Sequence, residues 1–269
     1  MAPQRRQPKK AAPSLLRRVN TLRRARSVDR PAGGATCRYL AVIMDGNGRW
    51  ARRRHLPVAA GHRAGARALR RFIEHCLDRG IEEVTCYSFS SENWRRPPEE
   101  VAALMELFVD QVSTQVPEVQ KRGVAVRFIG RRRGVPDELL ERIAVAEAAN
   151  LAEPKMSMYI AFNYGGRDEI LDALNTVVEE AAGGDAEASP PAASITEEDL
   201  RAHFYAPDLH DPELLIRTSG EERISNFLLW QIAYTELFFS AKLWPDFTAD
   251  DLDEALAAYA RRQRRFGGR

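Results

Sequence analysis

From residue 38 onward, short apolar runs alternate with longer stretches in which apolar positions return every three or four residues. The runs 39–44, 83–89, 124–129, 156–162, 213–217 and 236–241 have strand length and are rich in branched and aromatic residues. Helical periodicity falls near 49–54, 62–79, 98–121, 136–151, 167–181, 196–204, 225–234 and 248–263. This alternation predicts an α/β fold in a single domain, a six-stranded, mostly parallel sheet surrounded by helices. Residues 182–194, rich in Ala, Gly, Ser and Pro, read as a surface loop.

In such a sheet the residues that follow each strand gather on one rim, where crevices form. Four polar clusters occupy that position: Asp45 to Trp50, Ser90 to Pro97, Asn163 to Arg167, and Arg217 to Asn226. Gly46, Asn47 and Gly48 let the backbone approach a ligand closely, and the helix after them aims its free amides at an anion. Asp45 beside that cradle would repel a phosphate unless a cation lay between them. The pattern therefore predicts a divalent metal together with a diphosphate. The same run also fits G-x-G-x-x-A, the dinucleotide fingerprint. That site needs an acid about 20 residues further on, where Arg63 to Arg71 is basic and helical in pattern, so the dinucleotide reading is set below the metal–diphosphate one.

Arg217, Arg223 and Ser225 outline a second anion site, with forked donors and a hydroxyl at the expected start of a helix Asn226–Tyr234. The alternative is that the two arginines pair with Glu221, Glu222 or Glu236. Two diphosphate sites suggest a condensation of two diphosphates, or transfer from one. The helix from Pro98 presents Val101, Leu104, Met105, Leu107, Phe108 and Val112, mostly for the core, with a minority free to line a slot for a hydrocarbon tail. Asp250-Asp251-Leu252-Asp253 follows Thr248 and reads as helix capping. His62, at a helix start, is singled out by its nearness to the Asp45 loop.

Length and charge refine this picture. A chain of 269 residues can bury a large core as one domain. With no apolar run near the roughly 20 residues of a membrane span and no secretion signal, a cytoplasmic protein is expected. Cys37, Cys76 and Cys86 are then expected to be reduced and mostly buried. Residues 1–35 hold ten of the 40 bases and one of the 38 acids, leaving 30 and 37 for the rest. This basic arm reads as a disordered, solvated tail. Leu15, Val19 and Leu22 at helical spacing would also suit peripheral contact with an anionic membrane. The arm has no aromatics to stack bases, so no nucleic-acid partner is expected.

Together these motifs closely resemble the cis-prenyltransferases, specifically the bacterial undecaprenyl and decaprenyl diphosphate synthases. The resemblance runs through Met44-Asp-Gly-Asn-Gly-Arg-Trp50, Gly61-His62, Phe89-Ser-Ser-Glu-Asn-Trp94-x-Arg96-Pro97, Asn163-Tyr-Gly-Gly-Arg167 and Ile216-Arg-Thr-x-Gly220-Glu-x-Arg223-Ile-Ser-Asn-Phe-Leu-Leu-Trp230-Gln-x-Ala-Tyr234-x-Glu236. It makes residues 36–269 the catalytic domain, with an apolar product tunnel. It implies Mg²⁺-dependent elongation of an allylic diphosphate, farnesyl diphosphate, by isopentenyl diphosphate with cis double bonds, in a homodimer. It further implies that Asp45 and Glu236 serve the metal, and that Gly46, Asn47, Gly48, Arg49 and His62 hold the allylic diphosphate with Trp50 nearby. Arg217, Arg223, Ile224 and Ser225 would hold the isopentenyl diphosphate. Ser90, Ser91, Glu92, Asn93, Trp94 and Arg96 would lie on a mobile segment over the substrates, with Asn93 the candidate for assisting proton loss. Leu104, Leu107 and Phe108 would line the tunnel, and Arg265-Phe-Gly267 would reach the partner subunit. One departure is Val58, where many relatives carry an arginine; Arg52, Arg53 or Arg54 could supply the missing donor. A non-catalytic partner subunit of the same family, and an oxidoreductase resting on the glycine fingerprint, are the competing readings.

Overall fold

The computed structural model describes residues 36–183 and 194–262. The basic arm, most of the 182–194 loop and Arg265-Phe-Gly267 lie outside the described residues. Six strands form one sheet in the order β3-β4-β2-β1-β5-β6. They are β1 (Tyr39–Ile43), β2 (Glu83–Ser90), β3 (Val124–Ile129), β4 (Met156–Tyr164), β5 (Leu214–Arg217) and β6 (Glu236–Phe239), and every pairing is parallel. Seven α-helices are present among the described residues: α1 (Asn47–Arg53), α2 (Val58–Asp78), α3 (Pro98–Lys121), α4 (Asp137–Ala148), α5 (Gly166–Gly183), α6 (Glu197–Ala202) and α7 (Ala249–Arg261). None of the helices is long and apolar enough to cross a membrane, among the described residues.

β1 explains why the sheet is buried on both faces. Its continuous apolar run sends Leu40 and Val42 into one core and Ala41 and Ile43 into the other, all at most 6 % exposed. α2, α3, α4 and α7 cover the first face, packing residues such as Phe72, Val116, Leu139 and Leu252. The second face is closed by Leu209, Phe227, Leu228 and Ile232. Chain order reverses at β1, which lies between β2 and β5, and this is the switch point where an open α/β sheet leaves a crevice.

The expected helix over 225–234 is absent. Ser225, Asn226 and Leu228 hold φ of 50°, 61° and 45°, left-handed values that an α-helix cannot contain. The segment is instead a run of turns tied to its surroundings. The Gly166 amide donates to Asn226 O at 2.7 Å, the Tyr87 hydroxyl donates to Ser225 O at 3.2 Å, and the Tyr87 ring stacks on Phe227 at 4.4 Å. The capping reading of Asp250-Asp251 holds, since Asp251 accepts from the Thr248 amide and hydroxyl at the start of α7. The three cysteines are buried and form no disulfide, and burial pushes the Cys76 and Cys86 thiols up.

Candidate active site

Asp45 sits just past β1, and its backbone is fixed from two sides. Its carbonyl accepts from the Thr218 hydroxyl at 2.7 Å and from the Trp244 amide at 3.0 Å. Gly46 then turns the chain at φ 111° into α1, where a Cβ would come within 2.9 Å of the Leu243 side chain. Only glycine fits that turn. Gly61 and Gly65 let α2 close on α1, since Cβ atoms there would lie 2.1 and 2.2 Å from Asn47 oxygens.

Around Asp45 runs a ring of alternating charge. Oδ2 of Asp45 accepts from Arg217 Nη2 at 2.9 Å and from Arg49 Nη2 at 3.1 Å. Arg49 also donates to Ser219 Oγ at 2.6 Å and to Glu221 at 3.3 Å, and Glu221 pairs with Arg223 at 2.5 Å. Arg217, only 4 % exposed, donates through Nη1 to Arg223 O and to Ser225 Oγ at 2.8 Å. Burial pushes the Asp45 carboxyl up, but bonds from Arg217 and Ser219 and the charges of Arg49 and Arg217 outweigh it and hold it below its usual range. Three arginines against two carboxylates leave one excess positive charge, and Arg217 Nε has no partner among the described residues. A ring so built is receptive to an anion.

The ring stands at the mouth of a cavity of about 1080 Å³, larger than the roughly 300–1,000 Å³ usual for small-molecule pockets. Its polar end is lined by Asp45, Gly46, Asn47, Gly48, Arg49, His62, Ser90, Glu92, Asn93, Arg96, Arg217, Arg223, Ile224 and Ser225. Its far walls are mainly apolar, with Leu104, Leu107, Phe108, Val112, Val116, Val119, Phe128, Met158 and Ile160, joined by Arg70, Gln111 and Gln115. Burial, with the Arg96 charge beside it, lowers the His62 imidazole below its ordinary value.

Several expected site residues are placed elsewhere. Trp50 points its indole N–H at Asp246 (2.7 Å) beneath the Arg54 guanidinium, and neither lines the cavity. Of the three arginines near Val58, Arg52 alone does so. The 91–95 segment is a 3-10 turn fastened to α5 and β4: Ser91 donates to Asp168 at 2.8 Å and Trp94 to Asn163 at 2.8 Å, so both face inward to the protein. Asn93 Oδ1 accepts from the Ser90 amide at 3.0 Å. Glu236 lies in register with Leu214 and Leu40, at the opposite end of the strands from Asp45, and pairs with Arg262 at 2.6 Å. Within one chain Glu236 and Asp45 therefore cannot share a metal. The helix-end contribution expected at Ser225 is likewise absent, because no helix begins there. Arg223 does pair with Glu221, as the structural alternative held, while Arg217 pairs with Asp45. Thr218, Ser219, Asp168 and Asn226 were not anticipated; Thr218, Ser219 and Asn226 sit in the polar cluster after β5, and Asp168 just after the one that follows β4.

No three His, Cys, Asp or Glu side chains converge on a metal position among the described residues. A divalent cation at Asp45 would thus take one protein carboxylate and draw its other oxygens from diphosphate and water, the habit of Mg²⁺. The donor set fits such an ion.

A parallel sheet whose switch point joins an anion-receptive ring to a largely apolar cavity suits a ligand with a phosphate head and a hydrocarbon tail. A family model described as undecaprenyl diphosphate synthase, of the prenyltransferases, matches residues 43–267. The chain is 46 % identical over 230 residues to an isoprenyl transferase of Thermotoga maritima, covering 86 % of this chain and 96 % of that one. It is 49 % identical over 237 residues to a farnesyl-diphosphate-specific ditrans,polycis-undecaprenyl-diphosphate synthase of Xanthomonas campestris, covering 88 % and 90 %. In structure it resembles lavandulyl diphosphate synthase of Lavandula x intermedia, solved with dimethylallyl diphosphate, with a TM-score of 0.80, 33 % identity, and 86 % and 98 % coverage. The chain belongs to the undecaprenyl diphosphate synthase family of cis-prenyltransferases.

Proposed function

We propose that this chain extends farnesyl diphosphate by repeated cis addition of isopentenyl diphosphate to a medium or long polyprenyl diphosphate, a lipid-carrier precursor. Asp45 would hold Mg²⁺, and the α1 amides, Arg49 and His62 receive the allylic diphosphate. Arg217, Arg223 and Ser225 receive the isopentenyl diphosphate. The single observation that carries this reading is the Asp45 carboxylate between Arg49 and Arg217 at the mouth of a cavity whose depths are mainly apolar.

Breaking the allylic C–O bond places negative charge on the diphosphate and positive charge on carbon. The arginines and amides stabilise the first, and the aliphatic walls keep away water that would quench the second. Bound Mg²⁺ would supply further charge neutralisation on the leaving diphosphate. The isopentenyl double bond attacks the allylic carbon, and loss of a proton from the resulting cation sets the new double bond. The Asn93 carbonyl already serves the Ser90 amide, which favours a diphosphate oxygen as the proton acceptor. A homodimer in the cytoplasm completes the reading; β6 ends the sheet half-buried, and beside it Tyr234 is 83 % exposed. The non-catalytic reading lacks support, because Asp45, Arg217 and Arg223 are all present in one ring.

The test is incubation with farnesyl diphosphate and labelled isopentenyl diphosphate, with Mg²⁺ or with chelator, followed by mass analysis. A ladder of five-carbon additions that chelator abolishes supports the proposal. No extension under either condition overturns it.

A further inference from the structure

Residues 46–73 contain eight arginines and no acid, although from residue 36 onward acids outnumber bases by 37 to 30. The positive charge of the folded body is thus concentrated on α1 and the first two-thirds of α2. Three of the eight have partners: Arg49 in the Asp45 ring, Arg54 on Asp246, and Arg70 on Glu74. Arg63, Arg67 and Arg71 recur at i, i+4 and i+8 as an exposed row with no ion-pair partner among the described residues. The nearest acid in sequence, Glu74, is taken by Arg70 and Arg122. Like charges at this spacing destabilise a helix by a few tenths of a kcal/mol per pair, so the row does not serve α2 itself.

Apolar surface is exposed at the start of α2. Leu56, between α1 and α2, is 43 % exposed. A second cavity of about 230 Å³ opens between the starts of α2 and α3, walled by Val58, Ala59, Pro97, Ala103, Leu104 and Leu107 beside Arg63. Glu99 and Glu100 border it, Glu100 being paired with Arg96. Leu104 and Leu107 also line the main cavity. A row of unpaired guanidinium groups that starts beside an apolar cleft, with an exposed leucine in the turn before α2, suits an anionic bilayer, which attracts the charges and accepts the hydrocarbon. Residues 51–71 include no Phe, Tyr or Trp, and Trp50 on α1 is already under the Arg54 guanidinium and bonded to Asp246, which disfavours base stacking by RNA.

We propose that the α1–α2 face docks this protein on a membrane of anionic phospholipid, with the cleft between α2 and α3 turned toward the bilayer. The reading above gains a route for a hydrocarbon product, but docking is measured without substrate, so either can fail alone. The full chain with Leu56→Cys is labelled with a polarity-sensitive fluorophore; the native thiols are buried and do not compete. Vesicles of phosphatidylcholine with phosphatidylglycerol should shift the emission to the blue, and phosphatidylcholine alone should not. A label at Val145→Cys, 70 % exposed on α4, should stay water-like. Combining Arg63→Gln, Arg67→Gln and Arg71→Gln should weaken vesicle binding about 100-fold, at about fivefold per arginine, without lowering the melting temperature. Three results would overturn the proposal: binding to vesicles with the Leu56 label unchanged, full binding by the triple variant, or a larger response to single-stranded RNA than to vesicles.

Discussion

Arg217 joins both halves of the proposed site, so Arg217→Lys is the most informative substitution. The guanidinium is 4 % exposed and serves three acceptors on different sides, namely Asp45 Oδ2, Arg223 O and Ser225 Oγ. Lysine keeps the charge but offers one nitrogen, which can reach Asp45 or the 223–225 loop but cannot bridge them as the fork does. One or two charge-assisted bonds are lost, at about 1.5–3 kcal/mol each before water replaces part of the loss. Folding should weaken by about 2 kcal/mol, or roughly 4–8 °C in melting temperature. The larger effect should fall on rate, because a donor aimed at developing diphosphate charge is worth about 10²–10³-fold. Single-turnover extension with labelled isopentenyl diphosphate, beside a thermal melt, separates the two. Arg217→Gln adds a pH signature. In the native protein the lowered Asp45 carboxyl contributes stability that is present above its ordinary range and lost as pH falls through the folded value. Removing Arg217 leaves burial less opposed, so the acid limb of both stability and rate should move to higher pH. A folded Arg217→Lys enzyme within tenfold of the native rate, or an unmoved acid limb in Arg217→Gln, would refute this reasoning.

Gly46→Ala should cost about 3 kcal/mol in denaturant unfolding, combining a left-handed backbone with a Cβ 2.9 Å from Leu243; a loss below about 1 kcal/mol would mean the turn can relax. Glu169, 2 % exposed, accepts from the Tyr164 hydroxyl and Gln231, yet burial outweighs these bonds and raises its carboxyl above the ordinary 4.5. The stability tied to its proton is present below that value and lost as pH rises through the folded one. The melting-temperature advantage of the native protein over Glu169→Gln should therefore shrink with rising pH, and a constant difference would contradict it. Val58 lines the cavity near Gly48 and His62, so Val58→Arg should lower the KM for farnesyl diphosphate. An unchanged or higher KM would count against a missing donor there.

The strands were legible because a parallel sheet buries both faces and leaves continuous apolar runs, of which 40–43 is the clearest. All six lie within a few residues of their expected bounds, and the rim clusters follow from them. What the pattern could not convey was backbone conformation. Phe227, Leu228 and Ile232 are spaced as a helix would space them, yet left-handed Ser225, Asn226 and Leu228 turn the segment into a pinned loop. Nor could it convey position along a strand: Glu236 opens β6, and parallel register carries it to the far edge from Asp45. Trp94 and Ser91 sit within a site-like motif but hold its frame, a distinction that required the positions of Asn163 and Asp168.

The central claim is that a carboxylate-bound cation and the first glycine turn together receive an allylic diphosphate. Its most direct test is a crystal structure with Mg²⁺ and a thiolo analogue of farnesyl diphosphate. The diphosphate should lie on the Gly46–Arg49 amides, the metal between it and Asp45, and the tail among Leu104, Leu107 and Phe108. A diphosphate bound away from that turn, with Asp45 still closed on Arg49 and Arg217 and no metal beside it, would contradict it.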